Sequence, residues 1–594
     1  MGILSPMTVS TPQTQTFLQK HEWLLPLGLF ILFLALTLPG ISWGAPSVWH
    51  PDEIVVRSLN ALFDNYKFSE TNFDYPDLPQ YVMLFLGKLM LAIGQGDNIL
   101  VAARVLSAVL AGMAIVFTYI IARRIGGSPY VAALSGLLLI SVSEMPHNGR
   151  FAHNDTYLIF FVTLAVLCLL NYVQSKGVTG APYASTSLPP QENFRPERSE
   201  ERSMRRAKSK DAPLSKENNK IWLYAAFFTV GLATSSKFTG VSLILAPLAV
   251  YLIEEKDNIK KNWLVSLIVL SVGGLIAFWG FGLGTPKVLV APYFYLKHLL
   301  PTLQWQTTYG YQPDSIRGIF GQYGVTANGL GLGLMLLFGI GLVWAIWKVI
   351  KAHREHTASE QPQIKSFTVI LIAILALDLP MMISYNYQLR YFLTLMPFLA
   401  IFSALFIEQA YQWAKATSNK VYPVAVSVTV SAIILYSLAR IISLMLLVMH
   451  DARIPASAFM DTLPAGSSLE HTFYPPTFDG PRFEREYNYP IYFTRDPNEP
   501  LPQSKKFKYN VGEEGLNKRE TDYFIVDSFT SRKFNNIYFC EAMPTECAFF
   551  KQLETGGSDH YKLLKEFKYT LPPYLPQIQF EFINPSIRIY ERIP

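Results

Sequence analysis

Charge is what this chain has least of. Only 16% of its 594 residues are Asp, Glu, Lys or Arg, half are apolar, and the mean hydropathy is positive. Such a composition excludes a wholly soluble chain and implies a multi-span membrane protein with some soluble mass attached. A strong excess of one sign is missing too. The formal net charge of +6 sits largely in short connections between apolar runs, a pattern that orients helices in a bilayer and argues against nucleic acid as a partner. Also missing is a clear small-residue cleavage site after the first apolar run, 23–43, which is longer than the core of a secretory signal peptide and reads as an uncleaved spanning helix. Cysteine is scarce, with three in all. Cys168 lies inside an apolar run and reads as a small filler. Cys540 and Cys547 either remain two thiols or close a short disulfide loop.

Long apolar runs are what the chain has instead. They lie near 23–43, 99–121, 130–146, 155–173, 221–236, 238–253, 263–284, 325–349, 366–384, 391–412 and 421–448, each near the length that covers roughly 30 Å of hydrocarbon. With the amino terminus inside, Arg123-Arg124, the stretch 174–220, Lys256 to Lys261, Lys348 to Arg354 and Lys415 to Lys420 all face the cytoplasm, as the positive-inside rule asks. Joining the two short runs on either side of Lys237 would reverse the last three, so the chain is read as split there. The expected fold is therefore a mainly α, polytopic membrane protein of about 11 transmembrane helices. It has a cytoplasmic tail over 1–22, a membrane domain over 23–450 and a small extracytoplasmic α/β domain over 451–594, where charges, prolines and β-prone runs such as 523–526 and 587–590 become frequent. The Ser/Pro/Glu/Arg-rich stretch 174–220 lacks the apolar residues to order itself. The segment 78–93, interrupted by Lys88 and preceded by Pro76 and Pro79, reads as a helix lying in the interface.

This topology gathers polar side chains at one boundary. Trp49-His50-Pro51-Asp52-Glu53 follows the first crossing. Arg150, His153, Asn154 and Asp155 stand between the third and fourth, Lys237 between the fifth and sixth, and Arg390 between the ninth and tenth. Each alone has an ordinary reading as a cap or a snorkelling side chain. Together they place two kinds of charge on one face of one bundle, where ionisable groups mark function. Carboxylates beside Lys and Arg at that depth suit the transfer of a group from a lipid phosphate. The cations neutralise the departing phosphate, and a carboxylate takes the proton of an attacking hydroxyl. His50, Asp52, Glu53, His153 and Asp155 also include metal-ligating types, but no ligand spacing demands a divalent metal, and no other cofactor is implied. Asp378, two residues before Pro380, falls inside the ninth run and must face the bundle interior or a cavity. It pairs with Lys237 or Arg390, lines an acceptor path, or helps Pro380 break the helix. The outer stretch 285–324, with Gln304-Trp305-Gln306 and Tyr309-Gly310-Tyr311, offers aromatic faces to a sugar.

The ordered set of the acidic pair, Arg150 and Asp155, Ser236-Lys237-Phe238-Thr239-Gly240, and Arg390-Tyr391 with Pro397 resembles the GT-C membrane glycosyltransferases. Within them it is most similar to the branch that holds the protein O-mannosyltransferases and the bacterial lipid A aminoarabinose transferases. The ending 583–592 is also similar to the outer-domain end of bacterial members. The resemblance implies an enzyme of the inner (plasma) membrane that moves a sugar from a polyprenyl-phosphate donor to a hydroxyl of a glycan, lipid or protein on the outer face. It implies Asp52 as catalytic base with Glu53 as its partner and Asp155 as the second acidic position. Lys237, Arg390 and Arg150 fall to the donor phosphate, with His50, His153 and Asp378 in support. Two other classes stand beside it. A transporter of lipid-linked glycans would show internal repeats and midplane charges, whereas no clear repeat is visible here and the charges lie at one boundary. A non-catalytic assembly protein would depend on 451–594 rather than on Asp52.

Overall fold

The computed structural model describes residues 21–51, 53, 76–177, 219–308, 326, 329–355, 357, 362–384, 388–488, 512–580 and 582–593. Asp52 lies outside them, as do most of 174–220 and Tyr309-Gly310-Tyr311. Among the described residues six helices are long and apolar enough to cross a membrane: Ile99–Arg124, Asn154–Ser175, Trp263–Gly284, Leu332–Arg354, Pro362–Ile383 and Val421–Met449. Four shorter apolar helices, Leu24–Thr37, Leu78–Ala92, Pro129–Ile140 and Phe238–Glu254, pack among them. The run expected over 130–146 is thus a helix that ends at Ile140, followed by a separate short helix Glu144–Gly149 whose residues are all buried. Twelve helical residues rise only about 18 Å, so the run is divided between this helix and the short buried one after it.

Close helix packing places the site. Helix Asn219–Ser236 crosses helix Trp263–Gly284 so tightly that a Cβ at Gly231 would meet the Ala277 carbonyl, and one at Gly280 the Phe228 carbonyl. Small residues at such a crossing let backbones touch where lipid supplies no hydrophobic drive. The helix then stops. Lys237 is extended, with φ −155° and ψ 137°, and the chain resumes as a 3₁₀ turn over Phe238–Ile244. Gly240 folds that turn back on the preceding helix, where a Cβ would sit 2.6 Å from the Ala233 carbonyl carbon. The sequence Ser236 to Gly240 is therefore a break that aims Lys237 sideways into the bundle. Helix Pro362–Ile383 by contrast runs on past Pro380, which corrects the expectation that Asp378 and Pro380 break it.

The carboxy-terminal domain begins with helix Arg453–Met460, whose Ala456 and Met460 underlie a five-stranded mixed sheet. Its strands are β1 (Ser468–His471), β2 (Arg485–Asn488), β3 (Tyr523–Asp527), β4 (Tyr561–Phe567) and β5 (Ile587–Arg592), in the order β2-β1-β3-β5-β4. β1 runs parallel to β2 and β3, and β5 antiparallel to β3 and β4. Helix Pro544–Thr555 covers one face through Phe549, Phe550 and Leu553. Cys540 and Cys547 are joined in a disulfide with Cα atoms 5.1 Å apart, and Cys168 is a buried free thiol.

This domain is fastened to the first loop of the membrane part. Asp451 and Arg453, both wholly buried, pair at 2.8 Å. Asp451 accepts from Trp43 Nε1 at 2.9 Å and from the Asn584 amide at 2.7 Å. The Arg453 guanidinium lies 4.8 Å from the Trp43 ring and 4.4 Å from the Trp49 ring, and donates to the Phe582 carbonyl. Around them Trp43, Trp49, Phe151, Leu444, Leu447, Leu571, Phe580 and Ile583 form one apolar cluster. Residues 569–580, with Phe582 and Ile583, thereby roof this end of the bundle.

Candidate active site

Under that roof the predicted polar residues meet. Asp155 opens helix Asn154–Gly177 and is 2% exposed. Lys237 Nζ donates to its Oδ1 at 2.6 Å, and His153 Nδ1 lies 3.0 Å from its Oδ2. The ammonium of Lys237 also stands 4.6 Å from the centre of the Tyr391 ring, and the Arg390 guanidinium lies 5.4 Å from that same ring. His153 and Lys237 thus share one carboxylate, and Lys237 and Arg390 share one aromatic ring. The Lys237 side chain keeps 14% of its surface exposed, whereas Asp155 keeps 2%, so the cation is the member of the pair that a ligand reaches. Beside Asp155, the side chain of Asn154 is 1% exposed and neither of its amide atoms has a hydrogen-bond partner. A buried amide with nothing to bond is costly unless something else satisfies it.

The loop 39–53 is held from beneath by a residue that sequence reasoning missed. Arg104 sits within the apolar helix Ile99–Arg124 and is fully buried. It grips Glu53 bidentately at 2.7 and 2.8 Å and donates to the carbonyls of Ile41 and Trp43. Glu53 Oε1 accepts in addition from the Ala152 amide at 2.9 Å. The carboxylate of Glu53 is therefore engaged in tying the loop to 152, which fits a positioning role rather than proton transfer. His50 stacks on Phe151 with ring centroids 4.2 Å apart and touches Phe582 at 5.0 Å. Both neighbours of Asp52 are thus fixed against the bundle, through the His50 ring two residues before it and Glu53 immediately after it.

Arg150 is also placed differently from expectation. Its guanidinium donates to the carbonyls of Leu36, Pro39 and Pro146, so it closes the carboxyl end of helix Leu24–Thr37. His147, in the short buried helix, is pushed down to about 3 by burial, with the charges of Arg150, Arg390 and His153 adding to it. It is a neutral imidazole that packs on Phe580 with centroids 4.7 Å apart. Asp378 is half-buried in its helix, and the carboxylate paired with Lys237 is Asp155. Among the described residues no group of three or more His, Cys, Asp or Glu side chains is arranged to hold a metal ion.

The backbone arrangement matches a known one. The apo oligosaccharyltransferase of Archaeoglobus fulgidus superposes with a TM-score of 0.54 at 11% identity, over 98% of this chain and 90% of that one. The two chains share a fold. Residues 94–185 match the family described as dolichyl-phosphate-mannose-protein mannosyltransferase. That segment carries Arg104, Arg150, His153 and Asp155. Two curated relatives from Pseudomonas fluorescens are named undecaprenyl phosphate-alpha-4-amino-4-deoxy-L-arabinose arabinosyl transferase. One is 30% identical over 153 residues and the other 30% over 157, each match covering 25% of this chain. The chain spans about a quarter of those relatives' own length, 27% in each case. The crystal structure of ArnT from Cupriavidus metallidurans bound to undecaprenyl phosphate aligns over 95% of this chain and 98% of that one, with a TM-score of 0.44 and 13% identity.

Proposed function

We propose that this protein transfers a sugar from a polyprenyl-phosphate donor to a hydroxyl acceptor at the outer face of the membrane. The observation that carries the reading is the Asp155–Lys237 pair, buried under the outer domain with Tyr391 and Arg390 beside it. Lys237 and Arg390 receive the donor phosphate and neutralise the charge that grows on it as the sugar carbon to oxygen bond breaks, an effect that a water-poor site strengthens. Asp155 holds Lys237 in place. Asp52, which stands between Pro51 and Glu53 in the sequence, takes the proton as the acceptor oxygen bonds to the sugar carbon. Polyprenyl phosphate leaves with the electron pair, and a single displacement inverts the sugar carbon. The account includes eleven crossings with the amino terminus in the cytoplasm and residues 451–594 outside. The family match over 94–185 supports a second reading of the acceptor, a protein Ser or Thr hydroxyl, beside a glycan or lipid hydroxyl.

The test uses purified full-length protein in lipid nanodiscs, given radiolabelled polyprenyl-phosphate sugars with membrane-lipid, glycan and Ser/Thr-peptide acceptors. The expected result is loss of label from the lipid phosphate and its appearance on one acceptor class. Donor that stays chemically intact, yet moves between leaflets when the protein is placed in vesicles, would replace this reading with transport.

A further inference from the structure

A second buried polar group lies next to the first and takes no part in the chemistry above. Three element ends meet there: the start of helix Leu78–Ala92, the end of helix Asn219–Ser236 and the end of helix Trp263–Gly284. They approach so closely that a Cβ on Gly284 would meet Ser235 Oγ and the Leu78 side chain. Ser235, two residues before Lys237, shares a hydrogen bond of 2.7 Å with Thr285 Oγ1. That same hydroxyl accepts from the Asp77 amide at 3.3 Å. Lys287 Nζ donates to Asp77 Oδ1 at 3.2 Å.

The sequence around Asp77 is that of a capping box, with Asp at the helix N-cap and Gln80 three residues on. In such a box the acid accepts from the backbone of the first turn, and the Gln reaches back to the N-cap amide. Here neither side chain does so. Asp77 makes no side-chain cap bond, and its amide is given to Thr285. Asp77 Oδ2 and Gln80 Nε2 are both left without a hydrogen-bond partner, although Asp77 is 2% exposed and Gln80 3%. Burial holds the Asp77 carboxyl above its ordinary value even against the pull of Lys287. A bare acceptor and a bare donor, three residues apart and desolvated together, are an expensive arrangement in an empty protein. A hydroxyl satisfies both at once, because it donates to the carboxylate while accepting from the amide.

We propose that Asp77 and Gln80 form a subsite that reads one hydroxyl of the donor's sugar, with Lys287 and Thr285 fixing Asp77 in position. The inference rests on the transferase reading above. The sugar is bonded directly to the phosphate assigned to Lys237, and Ser235 links the two groups along one helix end. A site built around a hydroxyl rejects a ligand that lacks it, since its own buried polar atoms are then stranded. Asp77 and Gln80 thus act as specificity-determining residues rather than as catalytic ones.

The test is a donor panel in nanodiscs: polyprenyl-phosphate mannose, its epimers, and the deoxy counterparts at each hydroxyl. Wild type is expected to lose about a hundredfold or more in kcat/KM on one deoxy donor relative to its parent. Gln80→Met keeps the bulk of the side chain and removes the donor. It is expected to lower turnover of the preferred sugar while leaving the matching deoxy donor unchanged, so that their ratio falls towards one. Wild type that treats all deoxy donors alike would overturn the inference while leaving the transferase reading intact. So would a Gln80→Met variant whose loss is equal on every donor. Wild type that turns over no donor at all would overturn the transferase reading and this subsite with it.

Discussion

Replacing Lys237 by Met is expected to remove turnover almost completely, by roughly a thousandfold in kcat/KM, the scale on which a single fixed electrostatic stabiliser acts. The variant keeps much of the side chain's length and loses only the ammonium that meets Asp155 at 2.6 Å and faces Tyr391. It also strands a carboxylate that is 2% exposed, and breaking one side of a buried pair costs roughly 3–5 kcal/mol. A loss of activity could therefore be a loss of fold. The double variant Asp155→Asn with Lys237→Met separates the two, because no buried charge is left unpaired. Thermal unfolding in detergent is expected to return close to wild type in the double variant, while turnover stays abolished. Recovery of turnover along with stability would show that the pair is architectural and that the phosphate binds elsewhere.

The second large effect is on stability. Arg104→Met should destabilise the membrane domain by roughly 3–5 kcal/mol, because Glu53 is 0% exposed and would remain as an uncompensated charge. The carbonyls of Ile41 and Trp43 lose their donor in the same step. Arg104→Lys should recover little, since one ammonium cannot reproduce the fork that holds both carboxylate oxygens and two carbonyls. Glu53→Gln with Arg104→Met should sit between the two, as the charges go together. Chemical unfolding followed by tryptophan fluorescence reads this directly, because Trp43 and Trp49 lie in the loop that Arg104 holds. An Arg104→Met protein that unfolds with wild type would mean the loop is held by the Asp451–Arg453 clamp alone.

Much of this site was written in the chain, and the reasons for the rest are physical. The split at Lys237 followed from charge alone, because joining the runs put cations on the wrong side of the membrane. The structure shows the corresponding break as an extended residue and a 3₁₀ turn. The meeting of Asp155 with Lys237 was legible only as a shared boundary, since residues 82 positions apart give no local signal of contact. Arg104 left a signal that went unread: a lone arginine deep in an apolar run has to find a partner inside the protein. Glu53 reads in the sequence as the partner of Asp52, and sequence does not distinguish an acid held by a guanidinium from one held ready for a proton. Arg150 reads in the sequence as a phosphate ligand, and its carbonyl partners at 36, 39 and 146 become neighbours only after folding. The shortness of helix Pro129–Ile140 was hidden because an apolar run reads the same whether it ends in lipid or turns back into protein.

Donor turnover by wild type beside Asp52→Asn is the measurement that bears most directly on the account. Both proteins would be assayed in nanodiscs with the same polyprenyl-phosphate sugars, following release of polyprenyl phosphate. The Asn side chain keeps the shape of Asp and removes the base, and a positioned base contributes about a hundredfold or more. Release by wild type that falls by that factor in Asp52→Asn, with unchanged donor affinity, is the predicted result. Equal release by the two proteins would contradict the account.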